Sequence, residues 1–209
     1  MLLLYVDDIK ALYANTASAK ARATVAKESL MRQYEMSNLG PVKQSPGPEI
    51  NRLPDGTITL GQRAYIDSVL HRYGMENANP GLTTLDHKTR LDIVRNDSEA
   101  DQELYQSIVG SLMYAAQGTR PDIAYTIAAL SRYLIKPYKT HMTAVKRVLR
   151  YLKHTADAKL VFPGPGRASN SAVLVGYTDS DWAGDKCDRK SQGGYIVQTT
   201  GAPISRKSK

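Results

Sequence analysis

Three apolar stripes at helical spacing, lying close together between residues 104 and 152, constrain the fold of this chain more than any other feature. Leu104, Ile108, Leu112, Ala115 and Ala116 form the first, and Ile123, Ile127, Leu130 and Leu134 the second. Met142, Val145, Val148, Leu149 and Leu152 form the third. Residues three and four apart share a helix face, so each stripe predicts an amphipathic helix. Pro121 suits the opening turn of the second helix, which is expected to close before Pro137. Gly110 is expected at a close contact between helices. The third helix carries Lys146, Arg147, Arg150 and Lys153 on its other side. Such a face is either plainly solvated or a binding strip for phosphates.

Shorter elements precede this block. Leu2-Leu3-Leu4, then Tyr5-Val6-Asp7-Asp8, then a second apolar run over 9–13 read as strand, acidic turn, strand. Ala19, Ala23, Ala26, Leu30 and Tyr34 recur at helical spacing, predicting a helix over 17–34 that packs under the hairpin. Pro54-Asp55-Gly56 between 49–52 and 57–60 predicts a second hairpin. Before it, Gln44-Ser45-Pro46-Gly47-Pro48 disfavours an inner strand. Tyr65, Ile66, Val69, Leu70 and Tyr73 predict a helix over 62–73 that Gly74 stops. Residues 77–101 are polar and read as a long surface connection. After the third helix, Pro163-Gly164-Pro165-Gly166 reads as a flexible link or a hairpin tip. Strands are expected over 172–177 and 195–199, with a third beginning at 202–205. The fold class is therefore α+β, divided at 1–75, 76–157 and 158–209.

Composition narrows the function. The 209 residues hold 28 Lys and Arg against 20 Asp and Glu, a formal charge of +8. That balance suits a polyanion partner, although plain solubility explains it as well. One cysteine, Cys187, rules out an internal disulfide and fits a reducing, intracellular compartment, cytoplasmic or nuclear. The apolar N-terminal run is too short for a signal peptide or a membrane span, so no membrane association is expected. The four histidines have no metal-ligand spacing, and neither a phosphate-binding Gly-rich loop nor a nucleophile elbow occurs.

What remains is carboxylate chemistry. Asp7 and Asp8 fall at a hairpin tip, where pairing lapses and water reaches them. Hard cations such as Mg²⁺ take a few carboxylates plus substrate phosphates, and paired ions clamp both oxygens of a phosphoryl transfer. An ordinary solvated Asp-Asp turn is the alternative. Asp179 and Asp181 follow the strand over 172–177 and are either a polar strand end or a second acidic site.

The apolar run leading into Tyr5-Val6-Asp7-Asp8 resembles the catalytic hairpin of reverse transcriptases. The resemblance extends to Val109-Gly110-Ser111-Leu112-Met113-Tyr114, Thr119-Arg120-Pro121-Asp122-Ile123-Ala124-Tyr125 and Lys146-Arg147-Val148-Leu149-Arg150-Tyr151-Leu152-Lys153, and points to Ty1/copia-type retrotransposon polyproteins. It implies a partial polymerase palm with hairpins, a helical thumb and connection region, and the start of a ribonuclease H-like sheet. It further implies Asp7 as a metal ligand with Asp8 beside it, Val6 near the primer end, and Asp179 as the first ribonuclease H ligand. Mg²⁺ or Mn²⁺, an RNA/DNA template-primer and the rest of the Pol polyprotein are the partners implied. The stretch 44–48 departs from the family pattern, where an aromatic and aliphatic run supports the primer. On this reading the chain is an internal piece carrying half of each of two sites, inactive alone. A non-catalytic basic nucleic-acid-binding remnant and a non-functional transposon relic are the other readings.

Overall fold

The computed structural model describes residues 1–5, 8–14, 16–43, 47–86, 89, 91, 97–164, 174–180, 182 and 191–208. Val6, Asp7, Pro46, Asp181, Cys187 and the start of the strand expected at 172 lie outside the described residues. The architecture mixes helices with antiparallel sheets, and the chain divides into two compact units, Met1–Lys43 and Gln44–Lys209.

In the first unit, β1 (Leu2–Tyr5) and β2 (Asp8–Ala11) pair antiparallel, with Leu2 opposite Ala11 and Tyr5 opposite Asp8. Reciprocal bonds between Met1 and Leu12, both 2.8 Å, extend the ladder by one pair. The helix α1 (Ala17–Gln33) starts at Thr16, whose hydroxyl accepts from the Ala19 N–H at 3.2 Å. Helix α1 buries none of its residues. Ala19, Ala23 and Leu30 of the expected face are half-buried, while Ala26 and Tyr34 are exposed. The reason is size: seventeen helical residues run about 25 Å, whereas four-residue strands run about 13 Å and offer too little surface to cover them.

In the second unit, β3 (Glu49–Arg52) and β4 (Ile58–Gly61) form the expected hairpin. Gly56 takes the left-handed conformation the turn needs, at φ +82°. A third strand, β5 (Leu160–Phe162), adds to β4 from far along the chain. Gly164, expected in a flexible link or a hairpin tip, is buried, and its N–H donates to the Thr57 hydroxyl at 3.2 Å. Helix α2 (Arg63–Arg72) follows β4 and ends at Gly74, φ +64°.

Helices α3 (Gln102–Gly118), α4 (Ala124–Ser131) and α5 (Lys139–His154) then build the core with α2. Tyr105, Ile108, Leu112, Ile123, Leu130, Val145, Val148, Leu149 and Leu152 are each at most 1% exposed. Pro121 opens a 3-10 turn, Pro121–Ile123, ahead of α4 rather than the α-helix itself. Helix α4 stops at Ser131, earlier than Pro137 requires, so Leu134 lies beyond it. Gly110 is exposed, and a Cβ there would meet no atom within 4 Å. No helix contact forms at Gly110, because the residue sits off the stripe of Tyr105, Ile108, Val109 and Leu112.

The last sheet runs β6 (Leu174–Ser180), β7 (Gly193–Thr199) and β8 (Ala202–Ser208), all antiparallel. Thr200 and Gly201, both at positive φ, join β7 to β8 in a two-residue hairpin turn. Among the described residues, no helix is long and apolar enough to cross a membrane.

Candidate functional site

Three groups of residues carry the functional expectations, and the structure places them on different elements. Asp8 is the first residue of β2, opposite Tyr5 at the tip of the N-terminal hairpin, and is exposed. Its predicted partners Val6 and Asp7 lie outside the described residues. Asp179 is the penultimate residue of β6, also exposed, and sits opposite Gly194. Gly193 and Gly194 put no side chain beside Ser180 and Asp179 on the paired strand. Asp8 belongs to the first unit and Asp179 to the second. Among the described residues, no group of three or more His, Cys, Asp or Glu is placed to hold a metal ion. The described donors therefore do not fit a two-metal centre, which needs several converging carboxylates.

The third group is the basic side of α5. Lys146 is exposed and has no partner among the described residues. The other three reach the connection between α2 and α3. Lys153 Nζ donates to the Ala78 carbonyl at 2.8 Å, and Arg150 Nε to the Asn79 carbonyl at 2.6 Å. Arg147 Nη2 donates to the Thr83 hydroxyl at 2.8 Å and Nε to the Thr83 carbonyl at 3.3 Å. Asp86 stands 3.5 Å from Arg147 Nη1. The basic side is thus partly engaged within the fold, by acceptors that periodicity could not foresee.

The motif Thr119-Arg120-Pro121-Asp122 acquires a physical role. The Arg120 side chain is 1% exposed, with its guanidinium held on both edges. Nε and Nη2 donate to the two oxygens of Asp122, at 3.0 and 2.7 Å. Nη1 donates to the Thr155 carbonyl at 2.9 Å and Nη2 to its hydroxyl at 2.5 Å. Tyr151 lies under the guanidinium at 5.6 Å and donates its hydroxyl to Asp122 at 2.8 Å. Burial alone would raise the Asp122 carboxyl, but the Arg120 hydrogen bonds and charge, with the Tyr151 hydroxyl, more than offset it and hold it below the usual range. The network ties the end of α3 to the end of α5. A charged residue reads as surface in a sequence, so nothing but its place between two buried apolar stretches signals this burial.

Other buried polar groups tie elements in the same way. Gln62 accepts from both the Thr119 N–H and hydroxyl, at 3.0 and 2.9 Å. The His141 ring accepts from the Tyr138 N–H at 2.9 Å through Nδ1 and, as the Nε2–H tautomer, donates to the Leu91 carbonyl at 2.8 Å. It stacks on Tyr133 at 3.8 Å. Arg206 of β8 donates to the carbonyls of Gln117 and Gly118 at 2.9 and 2.8 Å, satisfying the C-terminal end of α3. Burial pushes its guanidinium down from the ordinary value.

Comparison with known proteins supplies the context for these groups. The chain is 39% identical over its whole length to the Retrovirus-related Pol polyprotein from transposon TNT 1-94 of Nicotiana tabacum, covering 16% of that protein. It is 36% identical, again over its whole length, to the Retrovirus-related Pol polyprotein from transposon RE1 of Arabidopsis thaliana, covering 14%. An uncharacterised mitochondrial protein of Arabidopsis thaliana, AtMg00810, is 34% identical across 94% of this chain and 77% of its own length. The chain thus spans 16% and 14% of the length of the two polyproteins. No family model and no solved structure matches.

Proposed function

The chain belongs to the copia-type retrotransposon polyproteins, and from that premise we propose that it is the part of Pol in which reverse transcriptase passes into ribonuclease H. The observation that carries this reading is the end-to-end match to two Pol polyproteins. The hairpin pairing Tyr5 with Asp8 supports it, as does the strand that presents Asp179 near its end. In this reading Asp7, with Asp8 beside it, serves the polymerase centre, Val6 lies near the primer end, and Asp179 serves the ribonuclease H centre. The activity is RNA-directed DNA polymerisation coupled to removal of the RNA strand. Mg²⁺ or Mn²⁺ is the ion of the intact enzyme. Among the described residues no set of carboxylates converges to hold it. The exposed side of α5 meets the phosphate backbone of the template-primer, with Lys146, Arg147, Arg150 and Lys153 as donors.

The isolated chain tests both halves of this proposal. It is expected to bind an RNA–DNA hybrid with affinity that falls steeply as salt rises, and to extend no primer with either ion. A chain that ignores the hybrid at low salt would overturn the assignment; one that extends a primer and loses this on Asp7→Asn would uphold the role of Asp7 and overturn only the expected inactivity of the isolated chain.

A further inference from the structure

The connection over 78–86 is a strap that runs antiparallel to α5. Ala78 meets Lys153, Asn79 and Gly81 meet Arg150, and Thr83 and Asp86 meet Arg147. The Gly81 N–H donates back to the Arg150 carbonyl at 3.0 Å. The strap is also tied to α4, through the Thr84 and Thr126 hydroxyls at 2.9 Å.

The chemistry of the acceptors is the telling point. Lys153 and Arg150 are held by backbone carbonyls, and Arg147 by a carbonyl, a hydroxyl and one carboxylate at 3.5 Å. Carbonyls fix a cationic side chain without cancelling its charge. Arg150 spends only Nε on the strap, and among the described residues its Nη groups have no acceptor. Lys146, one turn earlier on the same side, is exposed, as are Thr143 and His154. The strip formed by Lys146, Arg147, Arg150 and Lys153 therefore keeps most of its positive charge while three of its members have already lost rotamer freedom. Ordering a long side chain is a principal cost when it meets a ligand, and here folding has met much of it.

We infer that the strap is the ordering element of a phosphate-binding strip on α5, taking the backbone of a nucleic acid irrespective of base sequence. This inference rests on the assignment of α5 to template-primer contact made above. It adds that residues bearing no charge, above all Gly81 and Thr83, set the affinity. A Cβ at Gly81 would stand 3.3 Å from the Arg150 Cβ and the Tyr151 backbone nitrogen, so even a methyl there would be tight and a branched side chain would push the strap off α5.

The experiment is a titration of a short RNA–DNA hybrid with the whole chain at several salt concentrations. Wild type is compared with Gly81→Val, Thr83→Ala and the triple variant Lys146→Gln, Arg150→Gln, Lys153→Gln, each checked for folding by circular dichroism. The triple variant should weaken binding and flatten the salt slope by up to about 2.7, or 0.9 for each lost phosphate contact. Gly81→Val lifts the strap and Thr83→Ala removes the hydroxyl acceptor of Arg147. Both keep every charge, so each should bind about fivefold more weakly at an unchanged slope. Strap variants that bind like wild type while the triple variant loses affinity would overturn the inference and leave the α5 assignment standing. A triple variant that binds like wild type would sink both. Because Thr83 is exposed, Thr83→Ala gives a folded readout even if Gly81→Val does not.

Discussion

Asp122→Ala is expected to damage this protein more than Arg120→Met, although Arg120 is the more deeply buried partner. The Arg120 side chain is 1% exposed and that of Asp122 35%. Replacing Arg120 by methionine fills the space with apolar atoms and leaves a carboxylate that water can reach. The cost is about 2–3 kcal/mol, from lost hydrogen bonds to Asp122 and Thr155 and the lost stacking on Tyr151. Replacing Asp122 by alanine leaves a deeply buried guanidinium that cannot shed its proton, with the Thr155 carbonyl and hydroxyl as its remaining protein acceptors. Breaking a buried pair in that direction costs about 3–5 kcal/mol. It also orphans the Tyr151 hydroxyl. The double variant removes both charges, so it should cost at least about 1 kcal/mol less than the sum of the single changes. Urea unfolding at neutral pH, followed by far-ultraviolet circular dichroism, measures all three. Trp182 is 93% exposed and is a poor reporter of the core. An Asp122→Ala protein more stable than Arg120→Met, or strict additivity, would refute the reasoning.

Two glycines should respond oppositely to alanine in the same unfolding assay. Gly110→Ala stabilises by about 0.5–1 kcal/mol, since the new methyl meets open space on a helix. Gly164→Ala destabilises by about 1–3 kcal/mol, because its Cβ would overlap the Asp55 carbonyl. The stability-pH profile should fall at both ends. Below about pH 4 the unfolded chain takes up a proton that Asp122 resists, and the stabilisation is lost as pH drops through its lowered folded value. Above about pH 10 the unfolded chain ionises a phenol that burial keeps protonated at Tyr105, so stability falls there, and Tyr105→Phe should flatten that limb. Amide exchange should be fastest in residues 1–14, which contribute nothing to the described core, and slowest in α3 and α5; the reverse order would contradict the placement of the core.

Periodicity made the helical core readable. Ile108, Leu112, Ile127, Leu130, Val148, Leu149 and Leu152 were legible as core because each recurs at three- or four-residue spacing, and each is buried. Gly110 was misread although the same spacing places it off the stripe. Strand β5 was illegible: three residues carry no period, and their partner Ile58–Gly61 lies far away in sequence. Arg120 and His141 escaped because a polar side chain looks solvated until its partners are known, and Thr155 and Leu91 are distant. For the candidate sites, the tip position of Asp8 followed from local pattern alone. Asp179 is expected past a strand that ends at 177, but β6 runs on to Ser180 and pairs Asp179 with Gly194, because Thr178, Asp179 and Ser180 carry no apolar signal to extend the strand. The partners of Arg147, Arg150 and Lys153 did not, because the strap that supplies them has no regular structure to announce it.

Whether this chain serves both halves of a reverse transcriptase–ribonuclease H can be measured in a chimera. The 39%-identical segment of the tobacco TNT 1-94 polyprotein is replaced by this chain, and DNA synthesis and RNA-strand cleavage are measured on the same template. The chimera should perform both, Asp7→Asn should abolish synthesis and spare cleavage, and Asp179→Asn should abolish cleavage and spare synthesis. Synthesis that survives Asp7→Asn, or cleavage that survives Asp179→Asn, would contradict the roles proposed for them.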